Sequence, residues 1–180
     1  GKRMTLKIPV KPASGKVKPL SVPRRVSAAG SPPIALPREV RLLVMRTWTD
    51  LDATVRHGPS TLEAVVIPAV PGVYAWYRAG ERVYVGKADS LRARVWGNHL
   101  GRGRGLSSSA FRRNVAAHLG FGSAAAIKAR DVVLSAPQLD AVRAWILGCE
   151  VGWLTCATAD EAIALETALK QEFKPPLTMR

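Results

Sequence analysis

Proline placement limits this chain more than any other feature. Seven of its 13 prolines, Pro9, Pro12, Pro19, Pro23, Pro32, Pro33 and Pro37, fall within the first 37 residues. Each removes a backbone donor and fixes φ, so neither a helix interior nor a central strand fits between them. A packed core must come from residues 38–180. Up to Arg25 the same stretch carries Lys2, Arg3, Lys7, Lys11, Lys16, Lys18, Arg24 and Arg25, with no acid. Residues 1–37 therefore read as a basic, Pro-rich N-terminal arm. Three uses are open to it: a solvated leader, a strap along phosphates, or a clasp on a second subunit.

The excess of positive charge runs through the rest of the chain as well. Lys and Arg total 27 against 13 Asp and Glu, a formal charge of +14. Self-repulsion of that size points to a polyanionic partner, nucleic acid before an anionic membrane surface. No span suits a membrane: the longest apolar run, residues 64–70, is far short of the roughly 20 residues required. No apolar segment follows Met4, so no secretory leader is expected. Cys149 and Cys156 lack the spacing of a zinc site or a disulfide framework and read as two buried thiols in a reducing compartment.

Apolar periodicity outlines the elements of residues 38–180. Leu42, Leu43, Met45, Trp48, Leu51 and Val55 recur at helical spacing after Pro37, and His57-Gly58-Pro59 ends that helix. Residues 73–77 and 83–85 are β-type runs around Arg78-Ala79-Gly80-Glu81, which predicts a hairpin. Residues 90–99 follow as a helix. A flexible Gly-Arg loop at 101–105 leads to a helix capped near Ser107 to Ser109, with Phe111, Val115 and Leu119 on one face. A further amphipathic helix at 138–147, a strand at 151–155 and a last helix at 159–173 complete the chain. The order gives an α/β (α+β) fold: a small three-stranded, mainly antiparallel sheet flanked by helices, with a helical insertion at about 101–149. The five tryptophans read as core or interface residues, and His57 and His118 as structural.

Two tyrosines sit in matching frames, Gly72-Val73-Tyr74 and Tyr84-Val85-Gly86, ten positions apart. Ten more positions bring Arg94, within Leu91-Arg92-Ala93-Arg94, and Lys87 follows the second glycine. Near the end, Glu166 precedes Lys174-Pro175-Pro176-Leu177-Thr178. This set resembles the GIY-YIG endonucleases, closely over residues 71–99 and loosely over 159–178. The family often has Asn where this chain has Thr178, and His one turn after the Arg, where this chain has Asn98 and then His99. In a regular helix His99 would lie about 140° around from Arg94, while Asn98 would share its face. Only a distorted helix end could bring His99 back.

The resemblance implies a metal-dependent DNA endonuclease with Tyr74, Tyr84, Lys87, Arg94, His99 and Glu166 as its catalytic set. Acids are scarce, with none between Asp89 and Asp131, so a two-metal carboxylate cluster has no material. Glu166 would hold one Mg²⁺ (or Mn²⁺), Arg94 would clamp the scissile phosphate, and Tyr74 would be the general base, its phenol lowered by Lys87 and the metal. Tyr84 would orient the water or the phosphate, with the base role also open to it. Arg92, Arg102, Arg104, Arg112 and Arg113 are the expected DNA contacts, against the alternative of a solvated basic face. The chain's size is similar to that of small restriction-type members, implying a site-specific double-strand cutter that works as a homodimer on DNA in a bacterial or phage cytoplasm. The alternatives are a structure-specific, single-strand or mobile-element nuclease, and a DNA-binding protein with an inactive nuclease fold.

Overall fold

A computed structural model of the chain describes residues 46–101 and 105–178. The N-terminal arm, the start of the first helix, Arg102 and Arg104 lie outside the described residues. Three antiparallel strands, β1 (Gly72–Arg78), β2 (Glu81–Ala88) and β3 (Glu150–Thr155), form one sheet in the order β2-β1-β3. Helix α1 (Trp48–Asp52) precedes it. After β2 come α2 (Arg92–His99), α3 (Ala110–His118), α4 (Ala124–Ala129) and α5 (Ala136–Leu147), and α6 (Ala159–Glu172) follows β3. The expected sheet and later helices are present, but the first helix ends at Asp52, short of the expected His57, and leaves Val55 exposed; α4 is an additional short helix within the insertion.

β1 and β2 meet through a two-residue turn. Ala79 and Gly80 both take positive φ, 49° and 83°, which suits a loop that must follow the right-handed strand twist. The register slips once: Trp76 faces Tyr84 but Tyr77 faces Arg82, leaving Val83 as an extra residue.

The central strand is covered on both sides, which explains the unbroken apolar run from Val73 to Tyr77. Its odd-numbered face, Val73, Ala75 and Tyr77, packs with Val85 against Trp48 and Leu51 of α1 and against Ala162, Leu165 and Leu169 of α6. Its even-numbered face, Tyr74 and Trp76, packs with Tyr84 against Leu91, Val95, Phe111, Val115, Val142 and Ile146. One sheet face is scaffold, and the other is built from the insertion.

Local chemistry fixes the helix ends. Thr158 caps α6 by accepting from Glu161 N–H, and Trp48 Nε1 donates to the carbonyls of Leu169 and Phe173, pinning the end of α6 to α1. Arg82 holds Asp52 and lies over the Trp48 ring, so the hairpin is latched to α1 by an ion pair and a cation–π contact together. His57 exchanges two backbone hydrogen bonds with Val151 and stacks on Trp153. Cys149 and Cys156 are free and buried.

β2 is an edge strand, yet its outer backbone is covered. Leu177 N–H donates to Val83 C=O at 3.0 Å, and Val85 N–H donates to Thr178 Oγ1 at 3.0 Å. Asn114 Nδ2 donates to Leu177 C=O at 2.8 Å, tying the same segment to α3. Replacing Thr178 by Val keeps the shape but leaves the Val85 N–H buried and unpaired. We expect a loss of about 1–3 kcal/mol in urea unfolding, with Thr178→Ser losing less.

Candidate active site

Strand alternation brings Tyr74 and Tyr84 to one face, with ring centroids 6.2 Å apart. Tyr74 pairs with Gly86 across the ladder, and its ring lies over that residue. A Cβ on Gly86 would sit 2.6 Å from the Tyr74 hydroxyl and 3.0 Å from the Tyr84 ring. The absence of a side chain at 86 is therefore what lets the two phenols approach.

His99 joins them because α2 is not a regular helix. Its residues are in π conformation, and it ends with Leu100 N–H bonded to Val95 C=O, five residues back. The wider turn gives the position five after Arg94 the place that a regular helix would give to the fourth. His99, not Asn98, is turned inward: its Nε2 lies 2.7 Å from the Tyr74 hydroxyl and its Nδ1 lies 2.7 Å from Ser109 Oγ. Phe111 and Trp76 pack edge-on around the imidazole.

Ser109 is a site residue that sequence reasoning did not find. Its hydroxyl caps α3 by accepting from Arg112 N–H at 3.1 Å, and the same oxygen holds His99. The capping role is legible in the serine run before an amphipathic stretch; nothing in the sequence links that cap to a histidine ten residues earlier.

Burial governs the titration of these groups. It lowers His99 to about 3, with the charges of Arg94 and Arg112 acting the same way, so the imidazole is neutral throughout the working range. Burial raises Tyr74 well above the ordinary tyrosine value, and Tyr84 and Glu166 add to the rise while Arg94 opposes it. Tyr84 is raised too, by burial and then by Glu166, but a hydrogen bond from Tyr74 and the charges of Arg94 and Arg113 favour its ionised form.

Arg94 is half-buried, and its Nη1 reaches Ser108 C=O at 3.5 Å. Glu166, on α6, pairs with Lys170 at 2.9 Å, and its charge acts on both tyrosines. Lys87 pairs with Val73, so strand alternation puts it on the sheet face opposite Tyr74. Among the expected DNA contacts, Arg92 is bound through Nε to Ile67 C=O at 2.8 Å. Arg112 is buried and bonds Gly105 C=O at 3.1 Å, while Arg113 Nη1 bonds Leu106 C=O and Ser107 C=O at 2.8 and 2.6 Å.

No group of three or more His, Cys, Asp or Glu able to hold a metal occurs among the described residues. Glu166 is a half-buried carboxylate whose charge acts on both phenols. That donor set fits a hydrated hard cation that takes its other oxygens from water and phosphate, and not a closed protein cage.

Protonating His99 should oppose folding. Its folded value near 3 lies below the unfolded value near 6.5, so its contribution is complete above pH 6.5 and is lost as pH falls toward 3. In urea titrations across that window, wild type should lose up to about 1.4 kcal/mol per pH unit through this residue, and His99→Gln should show a shallower slope. Equal slopes would contradict the burial argument.

The family model for the GIY-YIG catalytic domain matches residues 73–180, more than half of the chain. A stretch of 29 residues is 66% identical to the UvrABC system protein C of Thermus thermophilus; it covers 16% of this chain and 5% of that protein. Two solved structures of the GIY-YIG N-terminal endonuclease domain of UvrC from Thermotoga maritima are also similar. One is bound to magnesium, and the other is a point mutant bound to its catalytic divalent cation. Each is 14% identical, covers 80–81% of this chain and 100% of its own, and has a TM-score of 0.36.

Proposed function

The chain belongs to the GIY-YIG catalytic-domain family, and from that premise we propose that it hydrolyses DNA phosphodiesters with one divalent cation, as a restriction-type double-strand cutter. The carrying observation is the shared neighbourhood of four groups: the Tyr74 and Tyr84 rings lie 6.2 Å apart on one sheet face, and the charges of Arg94 and Glu166 act on both.

Burial and neighbouring charge divide the roles of the two phenols. Ser109 Oγ accepts from Arg112 N–H and shares a second hydrogen bond with His99 Nδ1. His99 Nε2 shares a hydrogen bond with the Tyr74 hydroxyl, so Tyr74 is engaged by the buried imidazole. Burial holds Tyr74 well above the ordinary tyrosine value, while the charges of Arg94 and Arg113 favour ionisation of Tyr84, which makes Tyr84 the better base. The base role expected for Tyr74 thus moves to Tyr84, and Tyr74 with His99 becomes its support. Tyr84 is also the more exposed of the two, 8% against 2%.

In the reaction, the Tyr84 phenolate takes a proton from the attacking water, and the water oxygen forms a bond to phosphorus. The bond to the leaving sugar oxygen breaks, and that oxygen takes a proton from solvent. Arg94 holds the non-bridging oxygens with its planar fork. Glu166 would hold a hydrated Mg²⁺ or Mn²⁺, whose charge eases ionisation of the phenol and spreads the negative charge on phosphorus. Lys87, expected beside Tyr74, lies on the other sheet face and takes no step in this scheme.

One such centre cuts one strand, so a double-strand cut takes two copies of the chain on DNA. The basic arm and Arg92, Arg102 and Arg104 would supply phosphate contacts around the site.

Glu166→Gln tests this directly. Mg²⁺-dependent cleavage of a large unmethylated DNA should fall at least ~100-fold while binding in EDTA persists. Discrete bands from wild type would show site-specific cutting, and a smear would remove the restriction-type reading. Wild-type-like cutting by the variant would refute the metal assignment.

A further inference from the structure

The insertion contributes to the site more than Ser109. Arg113 lies one turn into α3, and its Nη1 bonds two successive carbonyls, Leu106 at 2.8 Å and Ser107 at 2.6 Å. The next carbonyl, Ser108, receives Nη1 of Arg94 at 3.5 Å. Two guanidinium groups therefore hang side by side from one three-residue stretch of backbone. Neither meets a carboxylate: the ion pairs among the described residues are Arg56–Asp52, Arg82–Asp52 and Lys170–Glu166. Adjacent like charges held by neutral carbonyls, with no counter-charge supplied, form a site for an anion. Each guanidinium presents five N–H groups and spends one nitrogen on its tether, so most of each fork is free. The tethers place both guanidiniums at the Leu106–Ser108 stretch that precedes the Ser109 contact to His99, and the charges of both arginines act on Tyr84.

We propose that Arg113 is a second catalytic arginine, which together with Arg94 grips the non-bridging oxygens of the scissile phosphodiester above Tyr84. This rests on the nuclease reading and takes Arg113 out of the set of general DNA contacts. The helical insertion then completes the active site from the side opposite Glu166's helix. The carbonyl tethers hold the guanidinium before substrate arrives, so little reorganisation accompanies the chemical step.

The test compares wild type, Arg113→Lys and Arg113→Ala in single-turnover cleavage of plasmid DNA with Mg²⁺ and enzyme in excess, alongside binding of the same DNA in EDTA over a range of salt. Lysine keeps the charge but not the fork, so the Arg113→Lys rate should fall about 100-fold or more, with affinity and salt slope unchanged. Guanidinium ion added to Arg113→Ala should restore part of the rate, which a purely structural loss would not allow. A contact made only to a distant phosphate would instead weaken binding, reduce the salt slope by about 1 and leave the saturated rate at the wild-type level. That result, or no rescue by guanidinium, overturns the proposal. If wild type itself cuts no DNA in Mg²⁺ or Mn²⁺, the nuclease reading fails first and this proposal falls with it.

Discussion

Tyr74 can reach its neighbours only because the strand beside it carries no side chain at the point of crossing. The phenol ring passes over Gly86, its hydroxyl comes to rest beside Tyr84 and His99, and a single methyl group at position 86 would stand 2.6 Å from that hydroxyl. The contact requires antiparallel pairing in one register, because a slip of one residue would send Tyr74 to the other sheet face. The two-residue turn at Ala79-Gly80 sets that register, and the extra residue at Val83 adjusts it before Tyr84. The geometry of the tyrosine pair is therefore settled by the hairpin before any helix packs on it.

What the helices add is a division of labour between the two faces of β1. α1 and α6 seal the odd-numbered face with Trp48, Leu51, Leu165 and Leu169, and give the sheet its mechanical support. α2 and α3 bring the polar groups to the other face, in an environment dry enough that His99 stays neutral and both phenols resist ionisation. Low dielectric magnifies every charge placed nearby. This is why the arginines of α2 and α3 and the carboxylate of α6 can act on the tyrosines although none is in an ion pair with them.

The fold was legible where period and punctuation agree. Alternation and a turn signal mark the hairpin, a serine cap with apolar spacing marks α3, and amphipathic spacing alone marks α5 from residue 138, two residues inside its observed start at Ala136. The six-residue α4, an Ala-rich segment ended by Arg130 at φ 70°, has too little periodic pattern to be read from sequence. The site was legible as a list of residues but not as an order of contacts. Counting at 100° per residue separates His99 from Arg94. The π turn that reunites them arises from packing of the imidazole between Tyr74, Trp76 and Phe111, which no local propensity encodes. Likewise Arg112 and Arg113 are equivalent in composition. Only the helix phase decides that one is buried while the other hangs from the loop carbonyls beside Tyr84.

The cover on β2 has a bearing on how copies of this chain meet. Without residues 175–178, the N–H of Val85 and the C=O of Val83 would be bare on the strand that bears Tyr84. Such a row is a template for another copy's strand, and self-association would become the easiest way to satisfy it. Two prolines, Pro175 and Pro176, sit in that cover and bring no N–H of their own to invite a further strand. The short tail segment thus guards solubility at the edge nearest the tyrosines.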